Sequence, residues 1–228
     1  MIKRILYVLK AVSQRGIVFL FRYFYESYLF DIKYGTKTSA RVTKEDQSIS
    51  STEVEQENGL LYVASFTSVT KTTVSLAKEI LGDARFSKAQ FLDLGCGKGK
   101  ALLVHALHHG KDQEKPALGI EYDQDLAIIA RDNVKKCDIE DERVRVIADS
   151  AVNLKEYISS KELIVYLYNS FQGETLKNVF VELSKIPHIL IYVDPAERFL
   201  LDKYGYSVIH DHIGKYHADT WLIASSNL

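Results

Sequence analysis

Residues 91–100 read Phe91-Leu92-Asp93-Leu94-Gly95-Cys96-Gly97-Lys98-Gly99-Lys100, a short apolar run followed by three alternating glycines. The apolar run predicts a buried strand, and the apolar residues 101–107 predict a buried helix after it. Glycines between the two let the backbone turn sharply and approach a ligand without a Cβ in the way. Because the N–H groups at the start of a helix attract polar ligand groups, the stretch predicts a site for a nucleotide-type cofactor. Asp93 offers a carboxylate there to a positively charged ligand amine.

The glycine spacing separates three kinds of cofactor loop. A phosphate-binding P-loop needs Ser or Thr after Gly-Lys, where this chain has Gly99 or Ala101. A dinucleotide fingerprint needs Gly-x-Gly-x-x-Gly, a wider spacing than the one found here. The tighter spacing, with Asp93 two residues before the first glycine, resembles the first motif of class I S-adenosylmethionine-dependent methyltransferases. The resemblance implies a loop against the methionine part of S-adenosylmethionine, made of Asp93, Gly95, Cys96, Gly97 and Gly99. A strand–turn–helix without a ligand is the alternative.

Two further predicted strands also lead into acids. Residues 117–121 form an apolar run that ends in Glu121-Tyr122, and a carboxylate there can accept hydrogen bonds from both ribose hydroxyls of an adenosine. A dinucleotide enzyme would share this feature, so it indicates an adenosine ligand without choosing the cofactor. The alternating strand 143–147 leads into Asp149-Ser150. In the methyltransferases that the chain resembles, an acid here usually contacts the adenine amine, whereas its alternative role is to cap the next helix.

The fourth predicted strand, 163–168, runs into Asn169-Ser170-Phe171. Class I methyltransferases commonly place residues that face the methyl acceptor at this point. The resemblance implies that the Asn169 oxygen accepts hydrogen bonds from a target N–H and that Phe171 packs beside the transferred methyl. Amine methyltransferases often have two prolines before the aromatic residue, whereas this chain has Ser170 alone. The alternative is that Asn169 and Ser170 simply begin the helix that follows.

A segment before the first strand often closes over the cofactor in these enzymes, and Tyr62 is the candidate for that contact here. Tyr62-Val63-Ala64 is similar to the Tyr-Val-Pro-like sequence of a set of protein-lysine methyltransferases, without the proline.

Strand and helix patterns alternate from residue 90 onward, which favours a parallel sheet covered by helices on both faces. The predicted strands are 90–94, 117–121, 143–147, 163–168 and 187–193, and the predicted helices are 70–81, 98–109, 124–136, 150–158, 173–185 and 196–204. The tail predicts an antiparallel pair, 206–213 and 218–225. The predicted fold is therefore a three-layer α/β sandwich around a mostly parallel seven-stranded sheet with an antiparallel C-terminal hairpin, as in the Rossmann-like methyltransferase fold.

The N-terminal quarter is predicted to be separate from this domain, with an extension and linker over residues 1–59 and the methyltransferase domain over residues 60–228. Residues 1–30 carry five basic residues, one acid and a dense aromatic stretch, and no apolar run is long enough to span a membrane. No secretory signal is apparent. Such a helix packs on its own domain, on a second subunit or on an anionic membrane surface. Residues 43–58 are polar and are predicted to form a mobile linker.

Composition narrows the class of partner. The net charge of −1 over 228 residues gives no basic field for nucleic acid. Two isolated cysteines, Cys96 and Cys137, suit a reducing cytosol and therefore a cytoplasmic protein. The histidines of residues 210–217 are predicted to decorate an exposed strand edge, and no metal site is expected.

Together these patterns predict methyl transfer by direct displacement at the sulfonium of S-adenosylmethionine, to a small molecule or a protein side chain. Such a reaction needs the acceptor to be positioned and water to be removed, and needs little covalent help. A nicotinamide-dependent oxidoreductase is one alternative. A non-catalytic scaffold that binds the cofactor and works through its basic, aromatic N-terminus is the other.

Overall fold

The computed structural model describes residues 17–39, 62–140 and 142–226. The predicted linker at 43–58 and the first sixteen residues lie outside the described residues, so the proposed division at residue 59 stays a prediction.

Seven strands form one sheet in the order β3-β2-β1-β4-β5-β7-β6. The first five strands are parallel, and β7 runs antiparallel to both β5 and β6. This confirms the predicted fold class, including the C-terminal hairpin. The strands are β1 (Gln90–Leu94), β2 (Ala117–Glu121), β3 (Val144–Ala148), β4 (Leu163–Tyr168), β5 (His188–Val193), β6 (Ser207–His212) and β7 (Trp221–Ser226).

Helices cover both faces of the sheet, and the alternation of β1 shows why. Phe91 belongs to the hydrophobic cluster on one face, whereas Leu92 and Leu94 belong to the cluster on the other. Each face is therefore a separate apolar layer that has to be covered. The described α-helices are α1 (Ile17–Tyr23), α2 (Leu29–Tyr34), α3 (Thr67–Leu81), α4 (Asp83–Lys88), α5 (Lys100–His109), α6 (Gln124–Lys136), α7 (Gly173–Leu183) and α8 (Leu200–Lys203).

Most predicted elements are confirmed, and the differences lie at helix starts and in short helices. Helix α5 begins at Lys100 rather than at residue 98, because Gly99 has a φ of 81° and ends the loop. The helix predicted at 150–158 is the shorter 3-10 helix Ala151–Glu156. The helix predicted at 196–204 is reduced to α8, because i→i+3 turns occupy the residues before it. Helix α4 was not predicted, since six residues are too few to show a helical period.

The N-terminal segment packs on the sheet domain through polar contacts. A π-helical turn, Phe24–Tyr28, joins α1 to α2. Arg22 pairs with Asp219 at 2.5 Å, and Glu26 accepts hydrogen bonds from the backbone and hydroxyl of Ser68. The backbone N–H of Lys37 donates to Asn133 at 2.9 Å. The described part of the extension is thus anchored to the domain at several separate points.

Candidate functional site

The glycine loop between β1 and α5 follows a left-handed path. Gly95, Gly97 and Gly99 have φ of 69°, 54° and 81°, values that glycine adopts without a steric penalty. A Cβ on Gly95 would lie 2.3 Å from the Cβ of Ser170, and one on Gly97 would lie 2.1 Å from the Tyr62 ring. The loop therefore requires glycine for two reasons: its backbone has positive φ, and the side chains that lie against it leave no space for a Cβ.

Two buried carboxylates, Asp93 and Glu121, line the cleft beside this loop. Burial raises the pKa of Asp93 to about 8, against a hydrogen bond from the backbone of Leu102 that lowers it. Burial likewise raises the pKa of Glu121 to about 7. In the described part of the chain neither carboxylate forms an ion pair with a basic side chain. A pair of buried acids without a cation favours a positively charged ligand, since such a ligand would restore their ionised form.

Glu121 also ties the second strand to the glycine loop. Its carboxylate accepts hydrogen bonds from the backbone N–H of Gly97 at 2.7 Å and from that of Asp123 at 3.0 Å. An ionised carboxylate has about four acceptor positions, so room remains for ligand hydroxyls. The neighbouring Asp123 caps α6 by accepting from the N–H groups of Asp125 and Leu126.

Asp149, at the end of β3, is occupied within its own loop. Its oxygens accept hydrogen bonds from the N–H of Ser150 at 2.7 Å, the amide of Asn153 at 3.1 Å and the hydroxyl of Tyr157 at 2.5 Å. Burial alone would raise its pKa, but the bonds from Tyr157, Ser150 and Asn153 outweigh burial and lower it. The structure therefore engages this carboxylate within its own loop, while the cap of the 3-10 helix Ala151–Glu156 is Ser150, whose hydroxyl accepts from the N–H of Val152.

Two strained residues meet at the ends of β4 and β5. Asn169 and Asp194 have positive φ, 36° and 48°, which is uncommon for residues with a side chain. The Asn169 amide donates to Asp194 Oδ2 at 3.3 Å, and His217 Nδ1 lies 3.1 Å from Asp194 Oδ1. Sequence reasoning missed Asp194, although the predicted fifth strand leads into an acid just as the first three do.

Tyr62 covers the glycine loop from the N-terminal side. Its ring lies against Gly97, and its hydroxyl donates to the backbone oxygen of Thr38 at 2.8 Å. Burial, together with the nearby charges of Asp31 and Asp93, raises the pKa of the phenol well above its usual range. Tyr62 therefore presents a neutral aromatic face to the cleft, and its proton is held by the backbone.

Lys100, the first residue of α5, was also missed by the sequence. It lines the cleft but is only 1% exposed, and its Nζ has no hydrogen-bond partner among the residues that the structure describes. The Nζ lies 3.7 Å from the centre of the Phe30 ring, within cation–π distance. Burial lowers the pKa of Lys100 to about 7. No sequence signal marks this lysine, because the contact that defines it comes from a residue far away in the chain.

The cleft at the carboxyl ends of the strands has a volume of ≈ 200 Å³ and brings most predicted site residues together. The predicted cofactor residues that line it are Asp93, Gly95, Cys96, Glu121 and Tyr122. The predicted acceptor residues Tyr62, Asn169 and Phe171 line it too. Ser150 lines a smaller cavity instead, which shares Gly95, Tyr122 and Phe171 with the main cleft. Asp149, Gly97 and Gly99 do not line either cavity.

No family model and no curated protein matches the sequence, but solved structures share its architecture. The methyltransferase domain of bacterial CtHen1 matches with a TM-score of 0.51 and 17% identity, over 70% of this chain and 97% of that chain. A mutant of MtNAS in complex with S-adenosylmethionine matches with a TM-score of 0.50 and 12% identity, over 70% and 62% of the two chains. An rRNA methylase from Streptococcus thermophilus matches with a TM-score of 0.48 and 13% identity, over 68% and 96%.

The chain has the fold of class I methyltransferases. At identities this low the likeness concerns the fold, and the substrates of the similar proteins do not carry over to this chain. Function has to be argued from the site itself.

Proposed function

We propose that the protein is an S-adenosylmethionine-dependent methyltransferase acting on a small molecule or a protein side chain. The observation that carries the proposal is the pair of buried, cation-free carboxylates, Asp93 and Glu121, on either side of a glycine loop at the carboxyl edge of a parallel sheet. Ligands of open α/β sheets bind at this edge. A ligand that carries both cationic groups and ribose hydroxyls matches these two carboxylates, which accept hydrogen bonds.

The residues present fit that cofactor. Asp93 and the loop of Gly95, Cys96 and Gly97 would hold its methionine portion, with the carboxylate facing the ammonium group. Glu121 and Tyr122 would hold the ribose, since the Glu121 carboxylate keeps acceptor capacity beyond its bonds from the backbone of Gly97, Tyr122 and Asp123. The adenine would lie toward Ser150, in the direction of the smaller cavity. When bound, the cofactor supplies a methyl group on a positively charged sulfur.

The acceptor side of the cleft would orient the nucleophile and keep water out. Phe171 is buried and Tyr62 presents its ring, so both contribute apolar surface at this wall. Asn169 and Asp194 supply the polar atoms, and their shared hydrogen bond orients the amide. The Asn169 oxygen accepts one hydrogen bond from the Gln172 amide at 3.4 Å, which leaves its second acceptor position for the target group. Holding the acceptor at attack distance in a dry site provides most of the acceleration for such a displacement.

The net charge of the chain argues against a nucleic-acid acceptor. An amine acceptor must lose its proton before it can attack. Asp194 is the carboxylate at the ends of β4 and β5 that lines the cleft, and we propose that its oxygens accept the hydrogen bond of the incoming group.

Calorimetry with S-adenosylmethionine, S-adenosylhomocysteine and NAD tests the proposal. We expect the first two to bind and NAD not to bind. At about a hundred times its dissociation constant, a bound ligand stabilises the fold by roughly 2.7 kcal/mol, which a thermal melt detects. The Asp93→Asn variant should bind at least about tenfold more weakly, since a charge-assisted contact is lost. The matched control is Asp132→Asn, an exposed acid on α6, which should bind as the wild type does.

NAD binding instead would indicate an oxidoreductase. Binding of the sulfonium cofactor without methyl transfer to any small-molecule or protein acceptor would indicate a scaffold. If none of the three ligands binds, the result would contradict the proposed cofactor site itself.

A further inference from the structure

The N-terminal helical segment, Ile17 to Tyr34, buries polar and charged side chains against the domain beside the buried aromatic residue Phe30. Glu26 and Ser27 are buried against the domain, and Glu26 accepts hydrogen bonds from Ser68. Arg22 pairs with the buried Asp219. Asp31 accepts hydrogen bonds from residues 36, 38 and 39, which follow the helix. Much of the apolar surface of the segment is left outside these contacts, whereas a surface helix of a globular protein usually buries its apolar stripe.

The outward side of the same segment is apolar throughout. Phe21 is 70% exposed, Tyr25 is 68% exposed and Ile32 is 69% exposed. We call this surface the apolar face; its members are Ile17, Val18, Phe21, Phe24, Tyr25, Tyr28, Leu29 and Ile32. They recur at spacings of three and four, so they share one side of the helix. A continuous exposed apolar surface of this kind marks an interaction site.

The charges around the apolar face are of one sign. Both acids of the described segment, Glu26 and Asp31, are engaged on its inward side. Lys33 and Lys37 are exposed. The surface therefore offers apolar and positively charged groups together.

Within the described residues, no helix is both long enough and apolar enough to cross a bilayer. A helix with a wide aromatic and aliphatic face and basic flanks has the composition of one that lies in the plane of an anionic membrane surface.

We propose that the apolar face docks on an anionic lipid surface, with Phe21, Tyr25 and Ile32 at the acyl boundary and Lys33 and Lys37 near the headgroups. A second copy of the chain suits the face less well. A twofold interface brings the same patch of both copies together, so the like-charged flanks would oppose each other. Anionic headgroups complement those flanks. The proposal concerns the N-terminal segment and does not rest on methyl transfer.

Vesicle co-sedimentation of the full-length protein tests the proposal. Vesicles of phosphatidylcholine alone are compared with vesicles containing about one third phosphatidylglycerol. We expect at least about tenfold stronger partitioning to the anionic vesicles, and a loss of that preference at high salt.

A double variant, Phe21→Ser with Ile32→Ser, should lower partitioning to anionic vesicles by about tenfold or more, since two large apolar groups no longer insert. The matched control is Phe199→Ser with Ile213→Ser, which removes two side chains that are 67% and 80% exposed elsewhere on the protein. The control should partition as the wild type does. Thermal melts of both variants should match the wild type, because the substituted side chains are largely exposed.

Equal partitioning to both kinds of vesicle, or a double variant that binds as the wild type does, would overturn the proposal. A wild-type dimer that the double variant dissociates, with no vesicle binding, would overturn it in favour of a second copy. Sedimentation equilibrium distinguishes these outcomes, and cofactor binding measured on the same preparations shows whether the proposed function stands independently.

Discussion

The two halves of the cleft are built differently. At the ends of β1 and β2, carboxylates meet backbone groups, as when Glu121 accepts from the N–H of Gly97 at 2.7 Å. At the ends of β4 and β5, side chains meet side chains through longer bonds, such as the 3.3 Å contact between Asn169 and Asp194. In the first half, backbone N–H groups fix the positions of the carboxylates. In the second half, Asn169 and Asp194 hold each other through a side-chain bond while both have strained backbone conformations. We call the first the proposed cofactor half and the second the proposed acceptor half; main-chain bonds hold the first, and bonds between side chains hold the second.

The largest expected effect comes from filling the glycine loop. Gly95→Ala puts a methyl 2.3 Å from the Cβ of Ser170 at a φ of 69°. We expect about 1–2 kcal/mol lower stability from the backbone strain, about 1–3 kcal/mol more from the overlap, and loss of cofactor binding. Gly82→Ala is the matched control, since its φ is 72° and nothing lies within 4 Å. It should show the strain cost alone and bind the cofactor normally. Chemical denaturation and calorimetry measure both; equal behaviour of the two variants would mean that the contact with Ser170 is not needed.

The buried carboxylates predict a pH dependence of stability in the ligand-free protein. The pKa of Asp93 is raised from 3.8 to about 8 and that of Glu121 from 4.5 to about 7, so the folded state holds protons that the unfolded state releases. Stability from these groups is full below pH of about 4 and is lost as the pH rises toward about 8. Asp93→Asn should flatten this decline in urea titrations at several pH values. A decline that survives in Asp93→Asn and Glu121→Gln alike would contradict the buried, cation-free arrangement.

Lys100 changes stability with pH in the opposite direction, and it does so over a higher pH range. Its pKa is lowered from 10.5 to about 7, so between these values the unfolded state binds the extra proton and stability rises with pH. Lys100→Met keeps the length and apolar stem against Phe30 and should remove this rise. Unfolding free energies measured from pH of about 7 to about 10 check it. An unchanged rise in the variant would assign it to another group.

A smaller effect is expected from the acceptor half. Asn169→Gly removes the side chain but keeps a residue that accepts the φ of 36°. We expect cofactor affinity within about twofold of the wild type and methyl transfer reduced by about tenfold or more, since acceptor orientation is lost. Asp194→Asn keeps the shape and should reduce transfer in the same way. Loss of cofactor affinity in Asn169→Gly would move this residue from the acceptor half to the cofactor half.

The same contrast explains what the sequence predicts and what it does not. The strands, the glycine loop and the acids Asp93 and Glu121 are each marked by a short local stretch of sequence, so the hydrophobic period and the glycine spacing reveal them. Asp194 follows a predicted strand as the other acids do, but its bond with Asn169 is visible only in the fold, and Lys100 is defined by Phe30, which lies seventy residues before it. Such features depend on tertiary contacts that one sequence does not display. The exposed apolar face of the N-terminal segment was likewise hidden, because periodicity shows that a helix has two faces and not which face turns inward.

The smallest effect is expected at Asp149, where the sequence left two roles open. Because its oxygens are occupied by Ser150, Asn153 and Tyr157, Asp149→Asn should lower stability by about 1 kcal/mol and change cofactor affinity by less than about threefold. Tyr157→Phe removes one of the same bonds without touching the carboxylate, so it should lower stability by a similar amount and leave affinity unchanged. Calorimetry and thermal melts on both variants separate the two roles. A loss of affinity in Asp149→Asn as large as in Asp93→Asn, with Tyr157→Phe unaffected, would show that the carboxylate leaves its loop partners to contact the adenine, and that the third strand end belongs to the cofactor half after all.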